Sequence, residues 1–175
     1  MGDDRELWQL IRSGDDRAFD SFYQANAERL QAFLRRVVGN QQAAEDLMQE
    51  TFTQIWRRPN GFEPERGSLR TYLFGIGRKR AAEWWRKQGP RAGEVDESES
   101  RCATETASAV NEALQKLPEE QRTLLWLREV EGQSYAELAQ ILAIPVGTVR
   151  SRLFAAREAL RKIWHGSQPA AKERL

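Results

Sequence analysis

Between Ser134 and Glu158 the chain reads "SYAELAQILAIPVGTVRSRLFAARE", and no other stretch limits the possible folds as sharply. Ser134 with Glu137 three residues later has the form of a capping box, in which each side chain bonds the other residue's backbone N–H at a helix start. Leu138, Ala139 and Leu142 follow on one face, with Ala139 small where two helices would cross. Pro145 stops this helix and Gly147-Thr148 opens a second, with Ile144, Val149, Leu153 and Ala156 turned inward. That leaves Thr148, Arg150, Ser151, Arg152, Phe154 and Ala155 near the exposed front of the second helix. In a helix-turn-helix this part enters the major groove, where Arg holds guanine O6 and N7 with two hydrogen bonds and flanking Arg holds phosphates. The competing reading is an αα-corner in a protein-interaction domain, its arginines only solvating the surface. Arg157, Arg161 and Lys162 suit the dipole at the helix end as well as they suit a phosphate.

The rest of the chain has the same helical period, with no sustained alternation and no hairpin signal, so the fold is predicted to be all-α. A first helix is expected from Asp4 to Ser13, ending at Gly14. A second starts at the Asp15/Asp16 cap, carries Phe19, Phe22, Leu30, Phe33, Leu34 and Val37 on one broad face, and ends at Gly39. Asn40 caps a third, with Ala44, Leu47, Met48, Thr51, Ile55 and Trp56 inward, before "RRPNGFEPERG" breaks the chain. Ser68 caps a fourth from Leu69 to about Gln88. After Gly89-Pro90, "RAGEVDESESRCATETA" has almost no large apolar residue and cannot offset its own ordering entropy. It is expected to be a flexible acidic linker. Helix resumes from Ser108 to Lys116, and Pro118 takes the first position of another helix bearing Leu124, Leu125, Leu127 and Val130. The expected organisation is therefore two small helical domains, 1–89 and 108–165, joined by a linker at 90–107 and followed by a tail at 166–175. At 175 residues neither has much core to spare.

Formal net charge is +1, from 27 Lys and Arg against 26 Asp and Glu, but the charges are segregated. Asp3 to Glu50 leans acidic, Arg66 to Lys87 is basic, Glu94 to Glu105 is acidic, and Arg150 to Lys162 is basic. Two basic runs separated by an acidic one fit two polyanion-facing surfaces better than solvated helix faces. One cysteine, Cys102, excludes an internal disulfide framework, and one histidine, His165, leaves no Cys/His metal-ligand set. No apolar run is long enough to span a bilayer and the N-terminus is acidic, so a soluble, cytoplasmic protein without membrane insertion is expected. No Ser/His/Asp set, phosphate loop or metal-ligand spacing points to an enzyme, a cofactor or a small-molecule substrate.

Two features of the first half bear on function. In "RTYLFGIGRKRAAEWWRKQ", Leu73, Ile76, Ala81 and one tryptophan can supply a packed face, while Arg70, Arg78, Lys79, Arg80, Arg86 and Lys87 cannot all be hidden. Basic groups interleaved with Tyr72, Trp84 and Trp85 are what unstacked bases require: phosphate neutralisation and flat surfaces. Adjacent tryptophans on a helix point about 100° apart, so one of the pair is core and the other is free to be exposed. In "AAEDLMQETF", Asp46 and Glu50 lie four apart with Glu45 and Gln49 beside them. Like charges at that spacing cost a helix about 0.2 to 0.5 kcal/mol, which favours a basic partner, with a solvated face as the rival.

The segments "EDLMQETFTQIW", "GSLRTYLFGIGRKRAAEWWRK" and "ALQKLPEEQRTLLWLREVEGQSYAELAQILAIPVGTVRSRLFAAREAL", in that order, resemble a bacterial RNA polymerase sigma factor of the sigma-70 family, extracytoplasmic-function (ECF) type. The resemblance implies that Asp46, Gln49 and Glu50 bind core RNA polymerase. It implies that the loop around Phe62 and the helix with Arg70, Tyr72, Arg78, Lys79, Arg80, Trp84, Trp85, Arg86 and Lys87 read and melt the minus-10 promoter DNA. Thr148, Arg150, Ser151, Arg152, Phe154 and Arg157 fall where the family reads the minus-35 duplex, and an anti-sigma factor is an implied partner. Lys79 stands where asparagine is common and Ala155 where arginine is frequent, which leaves the promoter sequence open. Gly75 and Gly77 lie within the fourth helix, at a cost of roughly 1 kcal/mol each relative to alanine. An autonomous helix-turn-helix regulator is the alternative, but a duplex-only regulator would not need the basic aromatic helix. Cys102, with no second thiol or basic cluster nearby, reads as incidental rather than as a redox sensor.

Overall fold

The computed structural model describes residues 4–58, 60–88, 109, 110, 112–114 and 116–167. No strand occurs among them. The helices are α1 (Asp4–Arg12), α2 (Asp16–Val38), α3 (Gln41–Arg57), a 3₁₀ turn (Pro64–Arg66), α4 (Leu69–Gln88), α5 (Glu119–Leu125), a π-helical turn (Trp126–Val130), α6 (Tyr135–Leu142) and α7 (Val146–Ser167). Residues 109–110 and 112–114 are also helical. The linker expected at 90–107, with Cys102, lies outside the described residues. Gly166 and Ser167, expected in the tail, complete α7.

The helix starts follow from their caps. Asp15 accepts from the Ala18 amide at 2.9 Å, Asn40 from Ala43 at 2.8 Å, and Ser68 Oγ from Thr71 at 3.0 Å. The Asp4 carboxylate accepts from the Leu69 amide at 2.9 Å, which ties α1 to the start of α4. α2 ends where Gly39 takes φ 69 and its N–H returns to Arg35 O at 2.9 Å. The capping box of α6 is formed in both directions, at 3.2 Å from Glu137 N to Ser134 Oγ and 2.7 Å from Ser134 N to Glu137 Oε2. Its C-terminus closes through Ala143 at φ 54, and Thr148 and Val149 then donate to Pro145 O.

In the first unit, α2, α3 and α4 pack around Leu30, Phe33, Leu34, Ile55, Leu73 and Phe74, all fully buried. In the second, Leu124, Leu127, Leu138, Val149, Leu153 and Ala156 form the core between α5, α6 and α7. The two units meet directly, α4 against α6 and α2 against α5.

Three positions depart from the expected core. Trp56, expected inward, is at the surface with its ring on Phe19 at 4.8 Å. Pro118 precedes α5 rather than starting it. Val130, expected on the buried face, is 57% exposed because the chain widens into the π turn after Leu125. The extra residue in that turn rotates the succeeding positions by about 100°, which brings Glu131 inward in place of Val130.

Of the two glycines within α4, only Gly77 has a steric reason. A Cβ on Gly77 would stand 2.8 Å from Leu30 Cδ1, whereas one on Gly75 would be 3.9 Å from the Ile141 Cα, an ordinary contact. Gly75→Ala is therefore expected to stabilise the chain by up to about 1 kcal/mol through helix propensity. Gly77→Val should destabilise it by about 1 to 3 kcal/mol by overfilling the contact with Leu30. Urea unfolding midpoints check both, and equal shifts in one direction would contradict the steric account.

Candidate nucleic-acid interface

Helix α7 is divided lengthwise. Val149, Leu153 and Ala156 are fully buried, which fixes the helix's rotation and turns Arg150, Ser151, Arg152, Phe154 and Ala155 outward, with Thr148 half-buried at the edge. Phe154 is 69% exposed, a large apolar ring held in water at the front of the helix. Its neighbours are partly engaged: Ser151 Oγ donates to Thr148 O at 3.1 Å and Arg152 meets Glu120 at 3.3 Å. Arg157 donates two bonds to Glu129, at 2.6 and 3.2 Å, and this pairing raises its pKa above the ordinary guanidinium value.

On α4 the basic and aromatic residues fall into three groups. Lys79, Arg86 and Lys87 are exposed. Arg70, Arg78 and Arg80 are half-buried. Arg80 reaches Glu50 at 2.5 Å and Gln54 at 2.9 Å on α3, and Arg70 pairs with Glu131 of the second unit. The aromatics are more enclosed than expected. Trp84 and Trp85 are both half-buried and stack edge to face at 5.0 Å, and Trp85 Nε1 donates to Val37 O at 3.2 Å. Neither member of the pair is fully exposed or fully core, because Trp84 packs against the core cluster and Trp85 is tied to α2 through Val37. Tyr72 packs on Trp8 and Phe62, at 6.2 and 5.7 Å, and burial pushes its hydroxyl pKa up. Phe62, expected in a DNA-facing loop, is only 7% exposed and lies edge-on to Trp8 at 5.3 Å. In this conformation it anchors the loop to α1 instead of offering a stacking face.

The acidic row of α3 is exposed at Asp46, Gln49 and Glu50, one turn apart along a single face. Asp46 accepts from Gln42 at 3.2 Å, and Glu45 from Gln31 and Gln41 at 3.2 and 3.3 Å. The Glu50 side chain stays 56% exposed although Arg80 holds one oxygen. Beside Gln49 opens a groove of about 560 Å³ lined by Phe19, Tyr23, Phe52 and Trp56, with Asp16 and Asp20 at its rim. Sequence reasoning missed this groove by turning Trp56 inward. The available signal was its i,i+4 spacing from Phe52 on the border of the apolar face.

A polar cluster joins α4 to the second unit, and sequence reasoning missed its members there too. Arg70 donates to both the carboxylate and the carbonyl of Glu131, whose side chain is 4% exposed. Thr71 Oγ1 donates to Glu137 Oε1 at 3.1 Å, with Gln133 Oε1 at 3.4 Å as a rival acceptor. On the other flank the Arg36 guanidinium lies over Trp126 at 5.1 Å.

Residues 22–91 match the model of sigma-70 region 2, and residues 107–160 that of sigma-70 region 4. The chain is 33% identical to the RNA polymerase sigma-H factor of Pseudomonas aeruginosa, covering 97% of this chain and 96% of that protein. The chain belongs to the sigma-70 family of RNA polymerase sigma factors, ECF subfamily. Another relative is the ECF RNA polymerase sigma-E factor of Haemophilus influenzae, 30% identical over 90% of this chain and 93% of that one. Among solved structures, the sigma factor RpoE of Bartonella quintana, in complex with the anti-sigma factor NepR, superposes with a TM-score of 0.71. It is 26% identical over 86% of this chain and 98% of that one. As a sigma factor the chain directs RNA polymerase to promoters for transcription initiation. The described part of this sigma factor has no helix long and apolar enough to cross a membrane.

The cluster between the two sigma regions gives a pH prediction. Burial alone would raise the Glu137 carboxyl pKa, but the Ser134 backbone and hydroxyl, Thr71 and nearby Arg70 outweigh it and hold it below the ordinary carboxylate range. A depressed folded-state pKa contributes stability that is complete above the ordinary range and fades as pH falls through the lowered value. Acidification through that window should lower the unfolding midpoint of the native chain more steeply than that of Glu137→Gln. Parallel curves would show that these bonds carry no such stability.

Proposed function

We propose that the chain, within its role as a sigma factor, divides promoter recognition between α7 and α4 and binds core polymerase through α3. The observation that carries the reading is the lengthwise division of α7, with Val149, Leu153 and Ala156 locked in the core behind exposed Arg150, Ser151, Arg152 and Phe154. A helix fixed in rotation by three buried residues can present a defined set of groups to base edges. Thr148, Arg150, Ser151 and Phe154 are assigned to minus-35 base edges, and Arg152 and Arg157 to phosphates. Both arginines hold acidic residues across exposed ion pairs that are worth about 0 to 1 kcal/mol and exchange readily for phosphate.

Helix α4 is assigned to the minus-10 element, with Lys79, Arg86 and Lys87 on the backbone and Arg70, Tyr72, Arg78, Arg80, Trp84 and Trp85 joining as bases unstack. Binding of unstacked bases offsets the cost of unpairing, so the chain itself catalyses no covalent step. Asp46, Gln49 and Glu50 are assigned to a basic surface of core polymerase. The units carrying these surfaces are residues 1–89 and 108–165, joined by 90–107. The chain works in the cytoplasm, where polymerase works, and an anti-sigma factor is its regulatory partner, as NepR is for the Bartonella protein.

Two experiments test these assignments. Asp46→Arg with Glu50→Arg should weaken binding to purified core polymerase by more than about 100-fold, since it sets like charges against a basic partner. Minus-35 duplex binding by the same protein should be retained, and equal loss of both would contradict the assignment. Arg150→Ala should reduce the preference for one guanine position by about 1 to 3 kcal/mol in competition binding. An unchanged preference with a general loss of affinity would move Arg150 to the phosphate class.

A further inference from the structure

We infer that Trp8 is a positioning residue for minus-10 recognition: from α1 it fixes the connection between α3 and α4, and with it the face that Tyr72 and the exposed Asn60, Gly61 and Glu63 offer to DNA. The inference rests on the assignment of Tyr72 and α4 to the minus-10 element. Three contacts join α1 to this connection. Asp4 accepts from the Leu69 amide at 2.9 Å, Arg5 pairs with Glu65 at 2.7 Å, and Trp8 lies edge-on to Phe62 at 5.3 Å. Positions 4 and 8 are one turn apart on a single face of the helix, with 5 beside them. As α1 runs forward, the connection therefore runs back along it.

The three contacts differ in weight. Arg5 and Glu65 are both largely exposed, so their pair holds the connection only loosely. Trp8 and Phe62 are buried, and theirs is the contact that removes apolar surface from water. Trp8 also meets Tyr72 edge-on at 6.2 Å, and Tyr72 meets Phe62 at 5.7 Å, so the three rings close a triangle. The Trp8 indole N–H is buried without an acceptor among the described residues, which leaves ring packing to set its place. Gly61 backs onto the Tyr72 hydroxyl with no room for a Cβ. The orientation of Tyr72 and the path of the chain through Gly61 and Phe62 are thus set from one point on α1. A ring and a loop ordered before DNA arrives spare the binding step their ordering entropy, and they present one shape to the bases instead of several.

Two readouts on the full chain separate positioning from bulk stability. In chymotrypsin digestion followed by mass spectrometry, Trp8→Ala should be cut after Phe62 at least about tenfold faster than the native chain. Cutting after Phe33, which is fully buried in the core of the first unit, should stay as slow as before. In run-off transcription with core polymerase, from promoters that differ at single minus-10 positions, Trp8→Ala should narrow the ratio between best and worst base at least about fivefold. Trp8→Phe keeps a ring at the same place and should lie close to the native chain in both readouts. Unchanged cutting after Phe62 overturns the inference, and so does equal acceleration after Phe62 and Phe33, which would make Trp8 an ordinary core residue. Faster cutting after Phe62 with a uniform loss of transcription at every base overturns the positioning role. If α4 is not the minus-10 surface, Lys79→Ala with Arg86→Ala, both at exposed positions, leaves promoter opening unchanged. If only the role of Trp8 is wrong, that variant is defective while Trp8→Ala keeps the native base ratio.

Discussion

The approach of α4 to α2 at Gly77, where the Leu30 side chain occupies the place of a Cβ, sets the depth at which α4 lies in the first unit. Everything on the other sides of α4 depends on it. With Gly77 and Ala81 turned into the core, the remaining arc carries Arg70, Arg78, Lys79, Arg86 and Lys87. A bulkier residue at 77 would press on Leu30 and shift α4, and with it the reach of Arg80 to Glu50 on one side and of Arg70 to Glu131 on the other. The weak amphipathic character of α4 has the same origin. Its buried face includes two small residues in place of large ones, and its outer arc is shared between exposed basic groups and groups that meet the second unit.

The arginine pairs in this chain differ in kind. Arg152 with Glu120 and Arg157 with Glu129 join side chains that are mostly about half exposed or more. Such pairs contribute about 0 to 1 kcal/mol and are screened further by salt. They hold the two arginines extended along α7 only loosely. Arg70 with Glu131 is different, because the carboxylate is almost wholly enclosed and the guanidinium also reaches the carbonyl of the same residue. Removing one partner from such a pair leaves the other charge desolvated, so this contact costs more to break than the exposed ones. Arg80 with Glu50 lies between the two kinds, with an exposed carboxylate and a half-buried guanidinium. It also links the acidic row of α3 to α4 directly.

Much of the fold was legible because the caps are local. Asp15, Asn40, Ser68 and the Ser134/Glu137 box each declared a helix start from residue type and spacing, and each is seen with its predicted bond. The inward faces of α2 and α7 were legible for the same reason, since period alone determines which residues are buried when one face meets the core. What could not be read depends on a partner distant in sequence. Trp56 satisfies the helical period of α3 but lies at the border of its face, and only the position of Phe19 decides that it lines a groove. Phe62 was expected to meet DNA from the family resemblance and the Trp84-Trp85 pair from the basic and aromatic interleaving, and their ring packing was invisible to both. The π turn has no sequence signal of its own, so Val130 was expected on the buried side that Glu131 takes.

Glu137 shows how the second unit can move as a body. Its Oε2 accepts the Ser134 amide that closes the capping box, while Oε1 faces Thr71 across the domain contact. Separating the units removes only the second bond, and water replaces it at little cost because the group is already partly solvated. The cap survives, and with it the start of α6, the turn through Ala143 and the rotation of α7 fixed by Val149, Leu153 and Ala156. The helix-turn-helix can therefore keep its geometry whether the chain is closed or spread along a promoter.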